Sequence, residues 1–268
     1  MGTGMGRRGV VWKTPDITAD GLKIFAWAMM LFQYIGVIIV EKGMIRLEQY
    51  TQEELSAALA EDSHLMMLAG VGSVLQLLGG MAIPLFAFLL VEGFRNTSSY
   101  KKYLAAVAFF ALISEVPYDF AMKSKFFDFS NQNALTGTLI SLFMLYGLRL
   151  VKRYSGFLKR IMQFCIVLAA VMWAGFFRVE FGLCMVLLTA VFYIFYEKNV
   201  LKTVLGAIIS LMYVTGPLSF YGIWCYNGAR RDKIPKYVFY IAYPLMLLAL
   251  GIIKDVMILV TTIIQRQR

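Results

Sequence analysis

One histidine, three cysteines and 16% charged residues in a chain of 268 exclude several kinds of protein at the outset. A lone imidazole, His64, cannot supply a histidine-based metal site, so no metal is expected. Cys165, Cys184 and Cys225 all fall inside apolar runs, which argues against both a disulfide framework and a zinc cage. Soluble domains carry about 25% charged residues. Here charge is scarce, 60% of the residues are hydrophobic and mean hydropathy is +0.69, the composition of an integral membrane protein. Acidic residues are the scarcer sign, 16 against 26 Lys and Arg, a formal charge of +10. In a soluble protein that excess would raise the question of nucleic acid. Here the basic residues sit in short turns between apolar runs. Membrane topology and anionic lipid headgroups therefore explain them, and no nucleic-acid partner is expected.

The apolar runs predict an all-α polytopic bundle of about eight transmembrane helices, residues 1–268 forming a single transmembrane domain. Spans are expected near 22–40, from 65–74 to 92, then 103–122, 133–150, 157–175, 181–196, 200–226 and 237–264, the seventh broken near Gly216–Pro217. The first 20 residues are basic and include GTGMGRRG, but no strand precedes that glycine run; they read as a cytoplasmic tail, followed by a retained first helix. Residues 41–63 are acidic and form the longest polar stretch. Thr51 and Glu54 have capping-box spacing ahead of an apolar stripe at Leu55, Ala58 and Leu59, which predicts a short amphipathic helix on the membrane surface after the first span.

Lysine and arginine counts place the N-terminus inside. Inner segments then hold Arg7, Arg8, Lys13 and Lys23; Arg95, Lys101 and Lys102; and Arg149, Lys152, Arg153, Lys159 and Arg160. One loop departs from the rule: NGARRDKIPK carries Arg230, Arg231, Lys233 and Lys236 on the predicted outer side. Either one crossing near Pro217 is miscounted or that loop has a task outside.

The stretch GGMAIPLFAFLLVEGFRNTSSYKKY, Gly79 to Tyr103, organises the rest. Pro84 lies in its apolar run, and Glu92 ends that run either at the interface or facing the bundle interior. In SEVPYDF, Glu115 and Asp119 are four apart, so a continuous helix would put both carboxylates on one face, with Pro117 between them.

These segments resemble the TraX family of bacterial membrane proteins. The resemblance spans about residues 21–250 and rests on GLKIFAWAMMLFQYIG, AIPLFAFLLVEGF, ALISEVPYDFA and YNGARRDKIPKYVFYIAYPLML, with weaker matches in QNALTGTL and FGLCMVLL. It implies a multi-pass protein of the bacterial cytoplasmic membrane that takes acetyl groups from acetyl-coenzyme A and passes them to a peptide or envelope acceptor. The departures are informative. Family members carry Asp-His where this chain has Gln33 and Tyr34, Arg where it has Gly80, and His where it has Met246. Glu92, Glu115, Asp119, Asn133, Asn227 and Tyr243 remain as polar groups at family positions. Three readings follow. The chain could be an acyltransferase run by carboxylates, with Glu115, Asp119 or Glu92 catalytic and Asn133, Asn227 and Tyr243 binding substrate. It could be a catalytically degenerate relative acting with a protein partner in the membrane. Or it could be a transporter component, with the carboxylates lining a polar path. Gln33, Tyr34, Gly80 and Met246 are expected to converge in the bundle core.

Overall fold

The computed structural model describes residues 17–228 and 234–267, apart from the side chains of Lys236 and Gln265. Residues 1–16, with the glycine run of the tail, and Arg230, Arg231 and Lys233 of the basic loop lie outside the described residues. Among those described, all regular structure is helical and no strand forms.

Helix α1 (Ala19–Tyr34) starts where the Thr18 hydroxyl accepts the Gly21 amide, and it continues as a π-helix over Ile35–Ile45. A π-helix of this length is rare, and such distortions favour functional sites. This one begins directly after Tyr34. The capping box then forms as expected: Thr51 and Glu54 exchange hydrogen bonds at the start of α2 (Gln52–Glu61), whose Leu55, Ala58 and Leu59 are its half-buried residues.

Helix α3 (Ser63–Gly79) returns antiparallel to α1. The second predicted span breaks at Gly79–Met81 and restarts as α4 (Ala82–Arg95). Pro84 thus lies in the first turn of α4, where its missing N–H would have no intrahelical partner anyway, and it kinks nothing. At the break the two backbones meet closely. A Cβ added at Gly79 would come within 2.8 Å of the Cα of Gln33, an approach that only glycine allows. Gly79→Ala should therefore cost about 1–3 kcal/mol by overpacking, visible as a lower melting temperature in detergent. An unchanged melting temperature would show that this contact gives way freely.

Helix α5 (Tyr100–Lys123) runs unbroken through Pro117, so Glu115 and Asp119 do sit one turn apart on one helix. It is followed by α6 (Ala134–Val151), α7 (Gly156–Phe176), α8 (Gly182–Ile194), α9 (Asn199–Ser210), α10 (Ser219–Trp224) and α11 (Lys236–Gln267). Helix α11 lies parallel to α5. Tyr240 stacks on Phe110 at 5.3 Å, and fourteen residues further on Lys254 donates to the Ala121 carbonyl at 2.8 Å. Lys254 is buried, and with its bond to Ser124 it caps the carbonyl end of α5, which hydrocarbon could not satisfy.

That parallel arrangement corrects the predicted topology. The Ile17 amide donates to the Cys225 carbonyl at 2.9 Å, and the Ile234 amide donates to Asp20 at 3.3 Å. Both flanks of the basic loop therefore sit at the end of the bundle where α1 starts. The segment from α9 to α10 begins and finishes at that same end. Its tip, two 3-10 turns over Leu211–Tyr213 and Gly216–Leu218, inserts against the helix break, where Tyr213 and Thr215 touch Gly80. The seventh predicted span is a re-entrant hairpin rather than a crossing. The flanks of the basic loop thus lie at the end of the bundle that carries the other basic turns. The count of eight spans is not confirmed: among the described residues six helical segments are long and apolar enough to cross a membrane, and α8 and α9 are shorter apolar helices. Gly216–Pro217 does mark the break. Hydropathy alone cannot distinguish a kinked span from a hairpin that turns back.

Candidate functional site

A cavity of about 710 Å³ runs along α1 between α4, α5, α6 and α11. At one end, by the first turn of α5, it is lined by Lys23, Asn96, Ser98 and Lys102. At the other it reaches Gln33, Tyr34, Glu180 and Tyr243, with apolar side chains such as Phe86 and Leu90 in between.

Glu180 is the residue around which the deep end is built. It lies on the tight turn between α7 and α8, outside the spanning helices. Arg178 and Phe181, on either side of it, have φ of 47° and 57°, a left-handed conformation that bulky residues avoid. Strain of this kind persists where the surroundings over-determine it, and it clusters at functional sites. The turn is fixed by pairing with the chain before α6, the Glu180 amide donating to the Gln132 carbonyl at 2.9 Å. Glu180 is half-buried, and its accessible surface faces the cavity. Tyr34 donates its hydroxyl proton to Glu180 Oε2 at 2.6 Å, and the Tyr243 hydroxyl lies 2.9 Å from that of Tyr34. A phenol has one proton, so with Tyr34 committed to Glu180 the Tyr243 hydroxyl must donate to Tyr34. Burial pushes the Glu180 carboxyl up to about 7; the Tyr34 bond pulls it down and the charge of Glu115 pushes it further up. A carboxylic acid so held is poised to exchange a proton near neutral pH.

The residues singled out from sequence divide between this site and the scaffold. Gln33, Tyr34 and Tyr243 line the cavity, and Met246 packs with Tyr34 and Tyr243 in one buried cluster. Gly80 faces the re-entrant tip beside that end, one residue beyond the Gly79 that Gln33 abuts. Glu92 lies at the other end of the cavity, where it accepts the Tyr196 hydroxyl at 2.7 Å; of the two settings open to it, it takes the mouth rather than the bundle interior. Glu115 and Asp119 do not line the cavity. Glu115 holds the Asn133 side chain, and Asn133, fully buried, also donates to the Ala111 carbonyl at 2.9 Å and caps α6. Asp119, 1% exposed, pairs with Lys123 at 3.1 Å and accepts the Asp128 amide at 2.7 Å. Asn227 ties the chain after α10 to Ile17 through its backbone. His64 is exposed at the start of α3, at the opposite end of the protein from the cavity mouth.

Sequence reasoning missed Glu180. The available signal was a single carboxylate in RVEFG, wedged between two long apolar runs. It reads as an ordinary interfacial residue until Tyr34 is known to reach it.

Fold and cavity define a polytopic α-helical membrane protein with a carboxylate, Glu180, at the deep end of a cavity between its helices. The TraX protein family matches residues 18–254, most of the chain, and the chain belongs to that family. No curated protein matches the chain, and no solved structure does.

Proposed function

We propose that this chain is an acyltransferase that carries an acetyl group from acetyl-coenzyme A to a peptide or envelope acceptor, with Glu180 as the base. The observation that carries the reading is the cavity itself, which joins a polar, hydroxyl-rich mouth, with Lys102 and with Lys23 paired to Asp20 at 3.1 Å, to a carboxyl group that burial has tuned to neutral pH. Its volume suits a ligand arm rather than a solvent channel, since small-molecule sites measure roughly 300–1,000 Å³. Lys23 and Lys102, with Ser98 beside them, would take the coenzyme's phosphates, and the apolar walls would take its extended arm. The acceptor's amine or hydroxyl attacks the thioester carbonyl while its proton passes to Glu180. The carbon–sulfur bond then breaks, and the departing thiolate takes that proton back, so the enzyme ends as it began. Tyr34 and Tyr243 orient the carboxylate. When Glu180 is protonated, both hydroxyl bonds can reverse, which frees the Tyr243 proton to stabilise developing charge.

The chain would work as one transmembrane domain in the bacterial inner membrane, the cavity mouth and N-terminal tail facing the cytoplasm. A second reading rests on Tyr34 and Met246, which stand where the family carries histidine: a binding or assembly subunit that holds a partner protein without turnover. An acetyl-transfer assay across peptide and sugar acceptors separates the two. Turnover retained in His64→Ala supports the enzyme; binding of acetyl-coenzyme A without any transfer supports the subunit. Within the enzyme reading, Tyr34→Phe removes the bond that holds the Glu180 carboxyl down. The alkaline rise in its pH–rate profile should then move to higher pH. A profile identical to wild type would remove Tyr34 from the mechanism.

A further inference from the structure

A second group of cations gathers at the same end of the protein but outside the cavity. It comes from four helices: Arg95 at the end of α4, Arg149 with Lys152 at the end of α6, Lys159 in the first turn of α7, and Lys202 in α9. Three of them, Arg95, Lys152 and Lys202, lie over a pair of tyrosine rings from the end of α8 and the turn after it, and Arg149 and Lys159 are close enough to Lys152 to repel it. The Arg95 guanidinium lies 3.5 Å above the Tyr196 ring, with Lys202 Nζ 5.3 Å from the same ring, and Lys152 Nζ is 4.8 Å from Tyr193. Such cation–π contacts fix groups that would otherwise be swung into water.

Charge within the cluster is poorly compensated. Two carboxylates face five cations: Arg95 reaches Glu197 at 3.5 Å, a carboxylate 82% exposed that also acts on Lys152 and Lys202. Glu92, held by Tyr196, acts on Lys202, whose Nζ donates to Asn199 Oδ1 at 3.0 Å. Among the described residues Arg149, Lys152 and Lys159 form no ion pair. Partial desolvation, then repulsion from Arg95, Lys159 and Arg149, pulls the Lys152 ammonium below its usual range. The charge rule for membrane loops accounts for cations at this end. It does not account for the convergence of Arg95, Lys152 and Lys202 on two rings, with Arg149 and Lys159 beside them, where each raises the cost of the next. Helix dipoles explain only part of it: Arg95, Arg149 and Lys152 sit at helix C-termini, whereas Lys159 lies at an N-terminus, where a cation is disfavoured.

We infer that Arg95, Arg149, Lys152, Lys159 and Lys202 form a binding site for a phosphate group, separate from the cavity. Phosphate accepts from several cationic donors at once and relieves their repulsion. Its position at the bundle end suits the headgroup of an anionic phospholipid, and a soluble phosphate offers the same chemistry. The inference does not depend on acyl transfer.

The test is thermal melting of the full chain in detergent with added phosphatidylglycerol, phosphatidylcholine or inorganic phosphate. Phosphatidylglycerol should raise the melting temperature by several degrees and phosphatidylcholine should not. The rise should shrink with added salt and vanish in Arg149→Gln/Lys152→Gln, while Lys125→Gln at the opposite end keeps it. If the double variant fails to fold, Lys159→Gln should at least halve the rise. A rise with inorganic phosphate alone, lost in the same variants, assigns the site to a soluble phosphate. Equal rises with both lipids, or a rise that survives in the folded variants, would overturn the inference.

Discussion

Glu180→Gln is expected to cut acetyl transfer by about 10²–10⁴-fold, the usual contribution of a positioned general base, while leaving the protein more stable at alkaline pH. The amide still accepts the Tyr34 hydroxyl, so the turn keeps its 2.6 Å partner. It cannot take a proton. The stability effect has a definite sign. Burial raises the folded-state carboxyl from 4.5 to about 7, so the group favours folding fully below about 4.5, and that contribution is lost as pH rises through 7. Wild type should therefore melt lower at pH 8 than at pH 5, and Glu180→Gln should lose less over that interval. Activity in wild type should climb over the same range, as the base form appears. A stabilised but inactive variant is the expected signature of a group kept for function at the expense of stability. Transfer at wild-type rate in Glu180→Gln would remove this residue from the chemistry.

Asp119→Ala should do the reverse, damaging stability far more than rate. Asp119 is buried, and it satisfies both the Lys123 ammonium and the Asp128 amide. Removing it strands the Asp128 amide and leaves Lys123 only the Asp128 carbonyl at 3.0 Å and carboxylate at 3.5 Å, and an orphaned buried hydrogen-bonding group costs about 1–3 kcal/mol. A fall in melting temperature is expected, with turnover per folded molecule near wild type, because the carboxylate does not reach the cavity. Asp119→Asn, which can still accept the Asp128 amide, should fall less. A folded, stable Asp119→Ala with turnover lost by orders of magnitude would restore Asp119 as a catalytic group.

Membrane character, the amphipathic α2 and the family are all legible in the sequence, for physical reasons, and the over-long second span calls for a tilt or for a break at Gly70, Gly72 or the Gly79–Gly80 pair. Long apolar runs, paired glycines and Thr-x-x-Glu spacing each act over a few neighbouring residues. The re-entrant α9–α10 segment is not legible. A broken apolar run looks the same whether it crosses or returns, and only contacts with distant Ile17 and Gly80 separate the two. The candidate site shows the same limit. Tyr34 stands out because it replaces a family histidine, and Tyr243 because it follows in a matched segment. Glu180 becomes visible only when a turn 146 residues away brings it to Tyr34. Glu115, Asp119 and Asn133 drew attention as polar groups in apolar runs. Their partners are one another's neighbours across the α5–α6 turn, which is the setting of groups that tie helices together.

The cavity should receive acetyl-coenzyme A with its thioester beside Glu180. A cryo-electron microscopy map of Glu180→Gln with saturating acetyl-coenzyme A is the direct measurement, since that variant should bind but not turn over. Density along the cavity, with phosphates near Lys102 and the thioester within reach of residue 180 and Tyr34, is the predicted result. An intact fold with no ligand density in the cavity, or with the coenzyme bound elsewhere, would contradict it.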